Sequence, residues 1–224
     1  MVRQKLSERM LPSYTKGEEI FNMVSHIVGG AVGIVALVLC VIFAALHGNA
    51  YGVVGSSIYG ASMIILYTMS SIYHGLKPAR KAKKVFQVID HCSIFLLIAG
   101  TYTPIALCTL REFSPVTGWI VFGTVWGAAV LGITLNAIDI KSFKLFSAFC
   151  YLLMGWSIVF AYKALPYLIE NGGMWLLLSG GLSYTYGAVF YYLFKKRKYM
   201  HSVFHLFVVA GSILHMFYIL FYVV

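Results

Sequence analysis

His201 and His205 stand four residues apart at the start of the last apolar run of this chain. On a helix that spacing puts both imidazoles on one face, one turn apart. A metal ion can bridge such a pair, with zinc–nitrogen bonds of ~2.0–2.1 Å. A third histidine, His74, is distant in sequence. If the fold joins it to the pair, three imidazoles surround one point and leave one zinc position open, as catalytic sites do. Zinc can bring the pKa of water down to ~7. Asp90 is placed to accept or orient its proton, and Ser70, one turn before His74, to hydrogen-bond it or a developing oxyanion. That equipment suits hydrolysis of an amide or ester. The alternative is a zinc that ties two helices together and catalyses nothing.

The elements that must position these residues are membrane helices. The 224 residues are 60% hydrophobic and 11% charged, against ~45–50% and ~25% in soluble domains. Apolar runs of about 20 residues recur along the chain, each long enough to cross a ~30 Å hydrocarbon core. Ten-residue alternating segments, the mark of a membrane β-barrel, are absent. The pattern predicts an all-α integral membrane bundle of seven transmembrane helices forming one domain over residues 1–224, in the cell (inner or plasma) membrane. The spans run from about Glu19 to Leu46, Tyr51 to Leu76, Val85 to Leu110, Pro115 to Asn136, a fifth ending near Ala164, Met174 to Phe194, and His201 to Val224. Residues 1–18 read as a basic arm, Pro104 as a bend in the third span, and 166–173 as loop. The polar opening is no signal peptide, and the apolar run after it is too long for one.

The net charge of +10 does not indicate nucleic acid. Of 17 Lys and Arg, 15 fall in the N-terminal arm or in the loops after spans 2, 4 and 6. Those segments share one side, so the positive-inside rule predicts a cytoplasmic N-terminus and an outside C-terminus. The four cysteines are scattered through apolar runs without a C-x-x-C and read as packing residues. Gly29, Gly30 and Gly33 read as helix-packing positions.

This topology puts Glu19, Asn22, His26, Ser70, His74, Asp90, His91, His201 and His205 at one membrane level. Ionisable groups inside spans are costly and normally face the bundle interior. Helical phase aligns Glu19, Asn22 and His26 on one stripe, Ser70 with His74, and Asp90 with Ser93, Leu97 and Thr101. The face of His201 and His205 continues through Val208 and Ser212 to His215, which lies ~15 Å beyond His205, too far to share a metal. His26 is expected to buttress the site, with Glu19 and Asn22, and His91 leaves the Asp90 face by ~100°. Between spans, such a site would take a membrane lipid as substrate, entering sideways from the bilayer.

The stretches GEEIFNMVSH (17–26), SSIYH (70–74), DHCSIFLLIAGTYTP (90–104) and HSVFHLFVVAGSILH (201–215) resemble the hemolysin III family. That family sits within the progestin and adipoQ receptor group and the wider superfamily of alkaline ceramidases. The resemblance covers essentially the whole chain. It implies a seven-helix bundle with a zinc site near the cytoplasmic face, His74, His201 and His205 as ligands, Asp90 holding the zinc-bound water, and Ser70 beside it. It points to a zinc-dependent lipid amidase or esterase acting in membrane lipid or fluidity homeostasis. A receptor-like sensor with structural zinc and a cytolytic factor, as the family name suggests, are the competing readings.

Overall fold

The computed structural model describes residues 10–170, 172–194 and 196–224. The expected arm residues Arg3, Lys5 and Arg9, and Lys195 of the basic run, lie outside the described residues. Seven helical rods follow in order: α1 Lys16–His47, α2 Ala50–Gly75, α3 Lys81–Phe113, α4 Pro115–Asp139, α5 Lys144–Glu170, α6 Met174–Phe194 and α7 Met200–Tyr222. No strand occurs among the described residues. Six of the rods are long and apolar enough to cross a membrane. The other, α6, is 21 residues long, about 32 Å at 1.5 Å per residue. Its four tyrosines, Tyr184, Tyr186, Tyr191 and Tyr192, lower its hydropathy while keeping an apolar ring body.

The start of each rod is written in its local chemistry. Thr15 and Glu18 form a reciprocal capping box at α1: Glu18 N–H donates to Thr15 Oγ1 at 3.3 Å and Thr15 N–H to Glu18 Oε2 at 2.8 Å. Asn49 Oδ1 accepts from the amides of Tyr51 and Gly52 to open α2. Ser114 caps α4 ahead of Pro115, as its sequence suggests. At α7 the chain instead turns through Tyr199 at φ 62°, a left-handed conformation uncommon for a bulky residue. Glu18 holds it there, since Tyr199 N–H donates to Glu18 Oε1 at 2.7 Å. One glutamate thus ties the beginning of α1 to the beginning of α7.

Two rods are broken, and in different ways. Pro104 has no N–H, and after it α3 widens into a π-helical segment, Ile105–Leu110. The α-helix of α5 stops at Gly155, continues as a 3₁₀ turn over Ser157–Ala164 and resumes over Leu165–Glu170. Residues 166–170 are therefore helix, not the loop expected from Pro166, because proline is tolerated in the first turn. Tyr102 of α3 fills the gap in the α5 ladder. Its hydroxyl donates to Gly155 O at 2.7 Å and accepts from Ile158 N–H at 3.1 Å.

The first helix is polar or small on its inner face and apolar on its outer one. On α1 the buried stripe is Glu18, Asn22, His26, Gly29, Gly33, Ala36, Cys40 and Ala44, while Ile20, Val24, Ile27, Ile34, Val38 and Ile42 are exposed. Lipid tails are as apolar as those side chains, so close backbone approach and hydrogen bonds hold the helices together. Gly29 shows the first: a Cβ there would stand 2.5 Å from the Tyr67 ring of α2. α1 packs on both α2 and α7, joining the two segments that carry the histidines.

Candidate metal centre

His74 sits in the last turn of α2, and His201 and His205 in the first two turns of α7. Their ligand nitrogens all lie within 4.8 Å of one another. Tetrahedral zinc with ~2.0–2.1 Å bonds holds its nitrogens about 3.3 Å apart, so a small contraction would close the group on an ion. His205 Nε2 and His201 Nε2 already stand 3.1 Å apart. His74 and His205 are each 2% exposed.

The partners of the other ring nitrogens assign the tautomers. His74 Nδ1 lies 2.7 Å from Glu19 Oε2, an oxygen that can only accept when ionised, so Nδ1 carries the hydrogen. Nε2 is then a bare lone pair, and it is buried without a hydrogen-bond partner among the described residues. His205 Nδ1 lies 3.3 Å from Asn22 O, again a pure acceptor, which leaves His205 Nε2 as an acceptor facing His201 Nε2 at 3.1 Å. Both rings thus turn a lone pair toward the centre and a hydrogen outward to an oxygen, the outer-shell arrangement that metal-ligating histidines almost always show. The donor set fits zinc or another imidazole-loving ion.

The stripe of α1 lies against these rings. Glu19 meets His74, and the Asn22 carbonyl meets His205. The Asn22 side chain accepts from Ser202 Oγ at 2.6 Å. His26 is stacked flat on His205, with centroids 3.6 Å apart at 13°, and stands outside the three-histidine group. Ser70 Oγ is buried and unpartnered among the described residues. Asp90 also stands outside the group. Its Oδ2 is 3.7 Å from His91 Nδ1 and its side chain is 14% exposed. His91 Nδ1 lies 2.9 Å from the backbone oxygen of Gln87. His215 is buried elsewhere, with Nε2 donating to Leu177 O at 3.1 Å.

Two residues that sequence reasoning passed over touch the site. Tyr14 stacks on His201 at 5.1 Å and 14°, and so covers it from the N-terminal side. Burial pushes its phenol far above the ordinary range, with Tyr191 contributing, so it is a neutral donor. Lys83, counted in the sequence among exposed loop cations, is 1% exposed and donates to Glu19 Oε1 at 2.7 Å. The signal was present: Lys83, Gln87 and Asp90 are spaced i, i+4, i+7, so the α3 stripe runs one turn further back.

The family described as Haemolysin-III related matches residues 14–216. The chain belongs to the hemolysin III family. It is 41% identical to Hemolysin-3 of Bacillus cereus over 206 residues, 92% of each chain. It is 39% identical to the Hemolysin-3 homolog of Bacillus subtilis (strain 168) over 211 residues, 94% of this chain and 97% of the other. A more distant likeness, 27% over 165 residues, is to the human monocyte to macrophage differentiation factor, covering 70% of this chain and 66% of that one. This hemolysin III protein is a multi-pass protein of the cell membrane.

Proposed function

We propose that this hemolysin III protein is a zinc-dependent hydrolase of lipid amides or esters, acting in membrane lipid or fluidity homeostasis. The observation that carries the reading is the convergence of ring nitrogens from His74, His201 and His205, with a Ser70 hydroxyl one turn before His74 that is buried and unpartnered among the described residues. His74, His201 and His205 would hold the ion, and Glu19 and Asn22 O would orient two of the rings. Zinc there would supply Lewis acidity and a nucleophile near neutral pH. The Ser70 hydroxyl, without a partner among the described residues, is available to donate to the carbonyl oxygen of an acyl chain. Asp90, outside the ligand group, is suited to hold a proton and not to bind the ion. The N-terminus is assigned to the cytoplasm by the basic residues gathered at the histidine end. A membrane lipid is the substrate class, because the site lies among spanning helices.

Metal analysis paired with lipidomics tests this. Zinc should be present at one ion per chain. Asp90→Ala and Ser70→Ala should keep the zinc while changing cellular lipid composition and abolishing hydrolysis of a lipid amide or ester. If both variants leave lipids and hydrolysis at wild-type levels, the catalytic reading is wrong. A receptor-like protein with structural zinc then takes its place, and Tyr14 stacked over His201 is the observation that favours it. The printed name of the Bacillus relatives points to cytolysis, which erythrocyte lysis by the purified protein would reveal.

A further inference from the structure

Lys83 is a buried cation that the proposed chemistry does not use. Its neighbours Lys77, Arg80 and Lys81 are exposed, so its burial is no property of the loop as a whole. Taking an ammonium out of water costs several kcal/mol unless its donors are met. All three are: Nζ donates to Glu19 Oε1 at 2.7 Å, to Leu76 O at 2.9 Å and to Tyr73 O at 3.0 Å. The two carbonyls belong to the end of α2, whose dipole favours a cation there. The ammonium also stands 4.9 Å from the Tyr73 ring centroid. One side chain of α3 thus grips both the end of the helix that carries His74 and the carboxylate from α1 that bonds the His74 ring.

We propose that Lys83 is a positioning residue of the metal centre, acting through Glu19 to hold the His74 ring with Nε2 turned toward His201 and His205. The inference rests on the zinc reading above. A carboxylate bonded only to His74 could swing between its two oxygens, or turn and ligate the ion itself. With Oε1 fixed by Lys83, only Oε2 is left for His74 Nδ1, and one tautomer and one ring orientation remain. The lysine touches neither the ion nor a substrate, so it serves geometry and not a chemical step.

The test is a competition titration of the purified full-length protein with zinc against a chelator, repeated with cobalt(II), whose visible absorption reports ligand geometry. Lys83→Met should weaken zinc affinity by about 10–100-fold, the usual effect of losing an outer-shell partner, and alter the cobalt spectrum. Glu19→Gln should do the same. The double variant should bind no more weakly than Glu19→Gln alone, because both changes break one chain of contacts. Lys81→Met, at an exposed neighbour, should bind as wild type does. If Lys83→Met lowers the melting temperature but keeps affinity and spectrum, Lys83 is only a helix-end clamp and the proposal falls. Additive losses in the double variant overturn it too. Should Lys83→Met not accumulate, Glu19→Gln carries the test, and wild-type affinity and spectrum there also refute the idea. A wild-type protein that binds no zinc would instead defeat the metal reading itself.

Discussion

His205 and His215 lie on one face of α7, both buried, ten residues apart, in surroundings that differ in kind. Around His205 the polar groups converge: two other imidazoles, a carbonyl that fixes its tautomer, and a stacked His26. Around His215 no such group forms among the described residues, although its Nδ1 is buried there without a hydrogen-bond partner. Nε2 donates to Leu177 O, the ring leans on Tyr184 at 5.5 Å, and a glycine, Gly180, makes room for it. Between them Ser212 Oγ binds the hydroxyls of Tyr67 and Tyr184 at 2.6 and 2.7 Å, so that stretch is a satisfied network. Burial and helical face are common to both histidines. What separates a candidate site from a packed polar residue is whether imidazole nitrogens from different helices converge on one point.

The comparison breaks most directly at the ligands. His74→Ala, His201→Ala or His205→Ala should each drop metal content from about one ion per chain toward none, a larger loss than the 10–100-fold of an outer-shell change. His215→Ala should keep its metal. Mass spectrometry of the purified variants measures both. Equal loss at His215 would mean that the two regions are not separate.

Packing at the other end should be costly without touching the metal. A Cβ on Gly180 would collide with the His215 ring, and overpacking of this kind costs ~1–3 kcal/mol. Gly180→Ala should therefore lower the melting temperature while zinc content stays at wild-type level. Ser202→Ala sharpens the contrast from the histidine side. It leaves the buried Asn22 Oδ1 without its donor at 2.6 Å, a loss of ~1–3 kcal/mol. Because the Asn22 carbonyl still accepts from His205, zinc affinity should fall by less than about tenfold. Thermal melts and zinc competition on the same samples separate the two effects.

What could be read from the sequence was phase and level. A 3.6-residue period places Glu19, Asn22 and His26 on one stripe and Ser70 with His74, and the structure buries Asn22, His26, Ser70, His74 and His205 while Glu19 is half-buried and its neighbour Glu18 is the buried glutamate. Phase gives a face and not a distance, so it could not say that Asp90 would stand beside His91, outside the histidine group. Lys83 was hidden for a different reason. Cations next to a span end are expected on topological grounds, and nothing local distinguishes the one that turns inward from those facing water. The break at Gly155 was likewise hidden, because the Tyr102 hydroxyl that bridges it comes from another helix.

Tyr14 carries the smallest expected effect and tests the open question of access. Its ring lies flat against His201 and 5.8 Å from His74, on the segment just ahead of the Thr15 cap. It offers no contact that fixes a tautomer, so equilibrium affinity should hardly depend on it. It does stand over the rings, so the rate at which an ion leaves should. Tyr14→Ala should speed zinc transfer to a soluble chelator by about three- to tenfold, roughly the effect of losing ~0.5–1.5 kcal/mol of ring contact in the barrier, with the equilibrium constant unchanged. Tyr14→Phe keeps the stacking and should behave as wild type. Faster release in Tyr14→Phe would place the barrier in the hydroxyl and its bond to Tyr191 rather than in the ring. Unchanged release in Tyr14→Ala would mean that ions reach the three histidines by another route, between the helices and not past the N-terminal segment.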